Sequence, residues 1–548
     1  MTEQRNTHNN VIHGGAIGEV RRYLVNIDSD STPQVSTDCL VIGAGIAGLR
    51  AAIEAAEHCR VLLLCKSTLD QSNTWYAQGG IASVLSDTDT FESHITDTIN
   101  TGCGLGDEEV ISMVVRQGPQ LIQQLLEWGT EFDKVDGHIA ATLEGGHSKP
   151  RIAHAHGDET GRIIAQALIN KARHCPNIKI MENFYVIDLL TTDDNRCIGI
   201  TGWNGRNVQI IRSTNTIMAT GGAGRLYRET TNPEVATGDG IAIAYRAGAV
   251  LRDLEFMQFH PTTLYVAGAS RALITETLRG EGGILLDKNG NRFMKDYDHA
   301  AELAPRDIVS RAILAHMLKT HSTHVYLDVR HLDREYFAKR FPHIFKLCES
   351  FDINISKDLI PVRPSAHYMV GGVKVDNSAA TSIDNLYACG EISSTSLHGA
   401  NRLGSNSLLE GLAYGKTAGQ MASRRIKMVS PLPRQRPLKY QIPDLGRSRL
   451  DTSDVRNSLR ALMWRNVGIT RKAQPLAEAQ EIIRFWQRYV MDKVFDSPKG
   501  WECQNMLTTA LLMAGAAELR KESRGVHFRS DFPERDDKSF KKHIDIRR

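Results

Sequence analysis

The 548-residue chain balances 66 Lys and Arg against 63 Asp and Glu, a formal net charge of +3, with 41% hydrophobic and 24% charged residues. These are the proportions of a folded protein of two or three domains, without the basic surplus that a nucleic-acid partner demands. Nine cysteines, scattered and never spaced as CxxC, argue against a disulfide framework and against a chain-borne zinc or iron–sulfur site, so no metal is expected and a reducing, cytoplasmic compartment fits best.

The opening MTEQRNTHNN is polar and lacks the apolar stretch of a signal peptide. No run of about 18 apolar residues follows, so no membrane partner is expected. Residues 1–36, rich in Asn, Gln, Ser and Thr without periodic apolar positions, read as a flexible N-terminal tail. From Asp38, DCLVIGAGIAGLRAAIEAAEHCRVLLLCKS reads as strand, glycine turn, helix and second strand, one βαβ unit of a parallel sheet. Two later apolar runs that end in glycine, NTIMATGGAG (215–224) and NLYACGE (385–391), look like further strands of that sheet. Between them, 254–368 mixes charged and aromatic residues with short strand-like pieces, GGILLD and HVYLDV, as an inserted domain would. Beyond the Pro-rich linker PLPRQRPLKYQIP (431–443) the pattern turns helical, as in AEAQEIIRFWQRYV. The expected organisation is a Rossmann-like α/β domain of 37–253 and 369–438, an α+β insertion of 254–368, and a helical domain of 439–548.

In VIGAGIAG, Gly43 allows a tight turn, Gly45 a close approach of backbone to a pyrophosphate, and Gly48 contact between helix and strand. The helix that follows offers free amide donors to an anion. A lone GxGxxG is weak evidence, but its place between a predicted strand and a predicted helix favours dinucleotide binding. The second strand ends in Cys65 and Lys66 instead of the acid that would take an NAD ribose.

Seven motifs, in order, carry a resemblance: SNTWYAQGGIASV, QFHPTTLY, ITETLRGEGG, ELAPRDIVSRAI, SAHYMVGGV, HGANRLGSNSLLEG and ESRGVHFRSDFP. Together they resemble the succinate dehydrogenase and fumarate reductase flavoproteins, from about residue 37 almost to the C-terminus, and within that family the branch that oxidises L-aspartate. The resemblance implies FAD as cofactor and a capping role for 254–368. It places Ala44, Gly45, Ile46 and Ala47 at the pyrophosphate and Lys66 near the ribose. Asn73, Thr74, Trp75, Tyr76, Ala77, Gln78, Gly79 and Gly80 would run along the isoalloxazine side, with Asp239, Glu391, Ser407 and Leu408 completing the site. Membrane-complex members carry at position 73 a histidine bonded to the flavin; Asn73 cannot form that bond, which implies noncovalent FAD.

By the same resemblance, Arg402 and His367 take one substrate carboxylate and His260 with Thr275 the other, which implies a small dicarboxylate. A guanidinium meets a carboxylate with two parallel charge-assisted hydrogen bonds, each contributing about 1.5–3 kcal/mol where water is excluded. Glu144, in TLEGGHSKPRI, matches a carboxylate placed near the substrate's ammonium group. Arg306 follows Pro305, a residue suited to the first turn of a helix, and matches the arginine that exchanges a proton with substrate. A helix dipole contributes only about 0.3–2 kcal/mol against a cation there, whereas bringing a guanidinium from above 12 to 7 takes about 7 kcal/mol. Transfer concerted with hydride movement, and a relay through Glu276 and Arg279, is therefore the expected route. Taken alone, an ExxR pair is more often a structural ion pair. His398 has no assigned role beyond orienting its loop, and His147, His154 and His156 read as surface histidines.

The implied reaction is FAD-dependent oxidation of L-aspartate to iminoaspartate with oxygen or fumarate as acceptor. It stands at the start of NAD biosynthesis, with quinolinate synthase as functional partner. Two alternatives stay open: a fumarate reductase or succinate dehydrogenase flavoprotein subunit, and a flavoprotein serving only in binding.

Overall fold

β1 (Gln34–Ile42), α1 (Ile46–Ala55) and β2 (Val61–Leu64) form the expected βαβ unit. Parallel strands covered on both faces need continuous apolar runs, and all of β2, VLLL, is buried. In the computed structural model, which describes residues 11–13, 20–269, 272–428, 437–443 and 450–548, these strands belong to a seven-stranded sheet. Its other members are β3 (Ile178–Met181), β4 (Tyr185–Thr191), β5 (Cys197–Trp203), β6 (Val208–Met218) and the strand Leu386–Ala388. The spatial order is β3-β2-β1-β6-β5-β4, with Leu386–Ala388 parallel to the end of β6. Both glycine-ended runs of the sequence thus finish at the carboxyl edge of the sheet, where doubly wound folds bind ligands. α2 (Asp239–Ala247) packs beside β4.

The insertion has its own sheet and core. β7 (Met257–Leu264), β8 (Ile284–Leu286), α3 (Arg306–Thr320), β9 (Val325–Asp328) and β10 (Ile360–Met369) follow in the chain. The strands pair antiparallel in the order β7-β10-β9-β8, over a cluster that includes Leu285, Val309, Ile313, Leu327, Phe341 and Val362. Chain entry and exit run side by side as β7 and β10, and their register is irregular. Gln258 faces Tyr368 while Phe259 faces Ala366, which leaves His367 as the extra residue of a bulge, and a second irregularity follows His260. Bulges re-aim side chains. Here the His260 and His367 rings come to 5.1 Å between centroids. Pro305 is the N-cap of α3, with φ −51° and ψ 148°, so its extended ψ holds it just outside the first turn and makes Arg306 the first helical residue.

α4 (Asn406–Met428) lies directly on α1. Gly411, Gly415 and Gly419 repeat every four residues and so share one helix face. A Cβ at these positions would fall 2.7 Å from Ile46 Cγ2, 2.6 Å from Ala47 O and 2.5 Å from Ala51 O, a contact that only bare backbone permits. α5 (Thr452–Asn466), α6 (Ala473–Val490) and α7 (Pro498–Leu519) form the helical C-terminal unit, with α7 against α2.

Two boundaries need correction. Residues 1–36 are not all tail: Val20, Tyr23, Leu24, Val25 and Ile27 are buried in the main core, and the Leu24 N–H donates to Asp188 Oδ2 at 2.8 Å. These apolar residues obey no helix or strand period, so composition conceals them; residues 1–10 and 14–19 lie outside the described part. The last stretch, past Leu519, is not helical domain either. It returns as strand Asp545–Arg547, between Leu251–Arg252 and Val11–His13 in a five-stranded sheet. Along the way Arg520 pairs with Glu255 (2.5 Å) and Glu522 (3.1 Å) out of reach of solvent. Of the Pro-rich linker, 431–436 lie outside the described residues, while Lys439–Tyr440 pairs with Ile27–Asp28. Among the described residues no helix is long and apolar enough to cross a membrane, no acidic, histidine or cysteine cluster could hold a metal ion, and all nine cysteines are free.

Candidate active site

A cavity of about 790 Å³ runs from the end of β1 to the bulged strands of the insertion. At its outer end Gly43 has φ +109°, and a Cβ there would lie 2.1 Å from Ala219 O; one at Gly48 would lie 1.9 Å from Gly43 O. Gly48 therefore seats the helix on the strand and does not itself line the cavity, whereas Gly43, Ala44, Gly45, Ile46 and Ala47 do. Gly45 offers α1 no side-chain cap; the Ile46 N–H goes to Thr74 Oγ1 (3.0 Å), and the first-turn amides after it are the donors an anion would use. Gly43→Ala is expected to yield protein that purifies without bound flavin, read from the ratio of absorbance at the flavin band to that of the protein. Normal loading in that variant would contradict the cradle.

Further along, Lys66 donates to Thr237 (2.7 Å), Asp239 (2.6 Å) and Glu502 (2.8 Å). Burial disfavours both charged forms, yet the two acids outweigh it and raise the Lys66 ammonium above its ordinary range, and Lys66 in turn holds Asp239 below its own. Asp239 also accepts from the hydroxyl of Tyr185 (2.7 Å) and from Asn505 (2.8 Å). Glu502 and Asn505 come from α7, so the helical unit helps close this end. All of Asn73 to Gly80 lines the cavity, as do Glu391, Ser407 and Leu408. Asn73 Nδ2 donates to Glu391 Oε2 (2.7 Å) and Asn232 Oδ1 (3.2 Å); burial raises the Glu391 carboxyl despite the Met369 N–H and the Asn73 amide. Asn73 Oδ1, Gln78 Oε1 and Thr220 Oγ1 are buried with no hydrogen-bond partner, and all three residues face the cavity. Unpartnered buried polar atoms are costly, and a polar cofactor along this wall would satisfy them.

At the inner end the bulges pay off: His260, Thr275, Glu276, Arg306, His367 and Arg402 share the same wall. Arg402 donates through Nε (3.2 Å) and Nη2 (3.0 Å) to Gln258 Oε1 and through Nη1 to Ser407 Oγ (2.8 Å), and stacks 4.5 Å from the Tyr368 ring centre. Its hydrogen-bond partners here are all neutral. Burial, with Arg306 adding like charge, pushes this guanidinium down to about 9, the mark of a cation in need of an anion. Burial first, then Arg306, drives His260 well below the usual histidine range; for His367 the order is burial, then Arg402. Both rings are therefore neutral. His260 Nδ1 lies 3.1 Å from the Thr262 carbonyl and 3.2 Å from the Thr262 N–H, and His367 Nδ1 meets Thr231 Oγ1 (2.9 Å).

Glu276 joins two arginines, with Oε2 to Arg306 Nε (2.5 Å) and Oε1 to Arg279 Nη2 (2.9 Å). Burial opposes its charged form, but the two guanidiniums outweigh that and hold the carboxyl below its ordinary range. Arg279 sits behind the cavity wall, its side chain fully covered, with Nη1 on the Glu302 carbonyl. Glu144, almost fully buried, accepts from Thr277 Oγ1 (2.9 Å) and Ser405 Oγ (2.8 Å). A Cβ at Gly404 would lie 3.2 Å from Arg306 Nη2 and 3.4 Å from both Glu144 Oε2 and Glu276 Oε2. The three charged groups converge on that one bare residue.

Sequence reasoning missed Gln258, Thr277, Ser405, Asn232 and Glu502. Only Gln258 had a signal, since it stands two residues before His260 and strand alternation puts both on one face. The reading of surface histidines fails at two of three positions. His147 and His154 are buried, His147 Nε2 against the Gly404 carbonyl (3.0 Å) and His154 Nε2 against Thr142 Oγ1 (2.8 Å), so the EGGHS segment grips the Arg402 loop as well as supplying Glu144. His398 bonds Glu410 Oε2 (3.0 Å) on α4 and keeps its loop in place, off the cavity.

Residues 38–408 match the family described as FAD binding domain, and 456–547 match that described as fumarate reductase flavoprotein C-terminal region. Curated relatives include the L-aspartate oxidase of Yersinia pestis, 40% identical over 92% of this chain and 97% of that one. The Streptomyces coelicolor L-aspartate oxidase is 39% identical over 94% and 92%. Among solved structures, a quinol fumarate reductase FrdA chain of E. coli superposes with TM-score 0.84 at 34% identity, covering 93% of this chain and 94% of that one. Mycobacterium smegmatis Sdh1 gives 0.79 at 33%, over 92% and 90%. The length and identity of these matches settle the family: the chain belongs to the succinate dehydrogenase/fumarate reductase flavoprotein family, among relatives named L-aspartate oxidase.

Proposed function

We propose that the chain is an FAD-dependent L-aspartate oxidase that converts L-aspartate to iminoaspartate. The observation that carries this reading is the pairing, in one cavity, of a buried Arg402 with no acidic partner and a buried Glu144 facing the same space. An anion site and a cation site side by side suit an amino diacid better than a plain one. FAD fits the remaining wall, through the glycine cradle and the three unpartnered polar atoms of Asn73, Gln78 and Thr220. When bound, FAD supplies the two-electron acceptor. Asn73, an amide hydrogen-bonded to Glu391, holds it noncovalently.

The side chains of the inner wall do the placing. Arg402 and His367 take one carboxylate, His260 and Thr275 the other, and Glu144 takes the ammonium group, which would present the α-hydrogen to the cofactor face. Gln258 Oε1 accepts from both Arg402 and Arg306 (3.3 Å) and keeps the two like charges in fixed positions. Arg306 exchanges a proton with substrate through its Nη atoms, with Glu276 Oε2 on its Nε ready to restore the balance and Arg279 stabilising Glu276 from behind. The insertion, which contributes His260, Thr275, Glu276, Arg306 and His367, acts as a cap that excludes water. Oxygen or fumarate serves as final acceptor, and the unstable imine requires prompt condensation, so functional coupling to quinolinate synthase in NAD biosynthesis belongs to this proposal. Nine free thiols suit the reducing cytoplasm.

Purified holoenzyme mixed with L-aspartate in air should release hydrogen peroxide, with no release from D-aspartate or succinate, and acid precipitation should leave the flavin in the supernatant. Flavin that stays with the precipitate, or oxidation of succinate without oxidation of L-aspartate, would move the chain to the succinate dehydrogenase and fumarate reductase reading. No turnover of either substrate would leave only a binding role.

A further inference from the structure

We propose that Thr277 and Ser405 are the positioning residues that make this site select an amino diacid over a plain one, by holding the Glu144 carboxylate from both sides of the cavity. The inference deepens the functional reading above and rests on it.

Glu144 receives one donor on each oxygen, Thr277 Oγ1 on Oε1 and Ser405 Oγ on Oε2. The terminal torsion of a glutamate is broad and weakly constrained. Two donors on opposite oxygens remove that freedom and point the remaining lone pairs one way, toward the place where an ammonium group would sit between the two carboxylate sites. The donors come from different parts of the fold. Thr277 opens a short helix of the insertion, directly after Glu276, while Ser405 belongs to the Arg402 loop of the sheet domain. Glu144 is thus held from both.

Proton counting makes the arrangement directional. A carboxylate only accepts, so the single proton of Thr277 goes to Glu144. Thr275 Oγ1 lies 3.2 Å from Thr277 Oγ1 and can donate to it; a bound substrate carboxylate takes that single proton instead, while the Thr277 to Glu144 bond stays in place. Thr275 is the residue read as a carboxylate contact, so the site for the amine and the site for one carboxylate are neighbours that draw on separate hydroxyl protons.

Ser405 carries a second mark. Its φ is +62°, a left-handed backbone that costs a non-glycine residue energy and persists where surrounding contacts enforce it. Ala82 N–H donates to its carbonyl (3.1 Å), and His147 Nε2 holds the preceding Gly404 carbonyl. The strain aims Oγ at Glu144.

The test uses flavin-loaded full chain. Thr277→Val and Ser405→Ala should each raise KM for L-aspartate about tenfold, the loss expected when one hydrogen bond to a charged group goes, with a smaller fall in kcat. The inhibition constant of succinate, which has no amine, should change by less than about twofold. Thr277→Ser, which keeps the hydroxyl, should restore KM. Glu144→Gln should weaken L-aspartate further than either variant and again spare succinate. Parallel loss of L-aspartate and succinate affinity, unchanged KM in both variants, or a Thr277→Ser enzyme that behaves like Thr277→Val would overturn the proposal. Failure of the functional reading is told apart beforehand, because there the unsubstituted enzyme itself would not oxidise L-aspartate, and both readings would fall together.

Discussion

Arg402→Leu should lower kcat/KM for L-aspartate by about 10²- to 10⁴-fold, the combined loss of two charge-assisted hydrogen bonds at about 1.5–3 kcal/mol each. The guanidinium is buried, its hydrogen-bond acceptors are Gln258 Oε1 and Ser407 Oγ, and it stacks on Tyr368. None of these neutralises it, so its interaction with a substrate carboxylate is not divided with a resident acid. Leucine fits an interior wall without introducing a buried charge, and the cofactor cradle lies at the other end of the cavity. Flavin absorbance should therefore survive, and the defect should appear mainly in KM. Arg402→Lys should recover only part of the loss, because an ammonium is a point charge without the planar fork. Steady-state rates beside a flavin spectrum decide the matter: near-normal turnover in Arg402→Leu would remove the anion site from the argument.

Arg306→Leu should produce a defect of different shape, with kcat reduced by about 10²- to 10⁴-fold, the range of general acid–base catalysis, and a smaller change in KM. In the native site Arg306 Nε lies 2.5 Å from Glu276 Oε2, and Arg306 Nη2 sits with Glu144 Oε2 around Gly404. Its loss leaves Glu276 still paired with Arg279, so the insertion should stay folded and succinate should still bind. A variant whose KM rises while kcat holds would make Arg306 a second anchor for substrate and no proton carrier. The ExxR pair itself, ambiguous on spacing alone, is a fully buried ion pair, and the second oxygen of its acid meets the cavity arginine.

How much of this was legible depended on range along the chain. The βαβ unit, the two glycine-ended strands and the helices of 452–519 announce themselves through apolar runs and periods that neighbouring residues share. Packed residues 20–27 give no such signal, because a cluster that docks on a surface made elsewhere needs no period of its own. The same holds for 520–547, whose charges look solvated in sequence and are paired inside, as at Arg520 with Glu255 and Glu522. His147 and His154 were misread for that reason too, since their partners, the Gly404 carbonyl and Thr142, do not show in a local pattern.

Sequence alone marked the glycine turn, because Gly48 answers to a clash with the Gly43 carbonyl within a single strand–turn–helix; the Ala219 carbonyl that Gly43 must clear comes from the end of another strand, β6. Sequence also named the inner-site residues through motifs that travel as units. It could not bring them together. The bulge at His367 aligns two histidines from the paired first and last strands of the insertion; Gly404 lets Glu144, Glu276 and Arg306 converge; Glu502 and Asn505 reach the cofactor wall from a helix more than four hundred residues beyond Lys66. These depend on distances between segments that only packing sets, and a side chain's charge acquires meaning once burial decides which neighbours it must share.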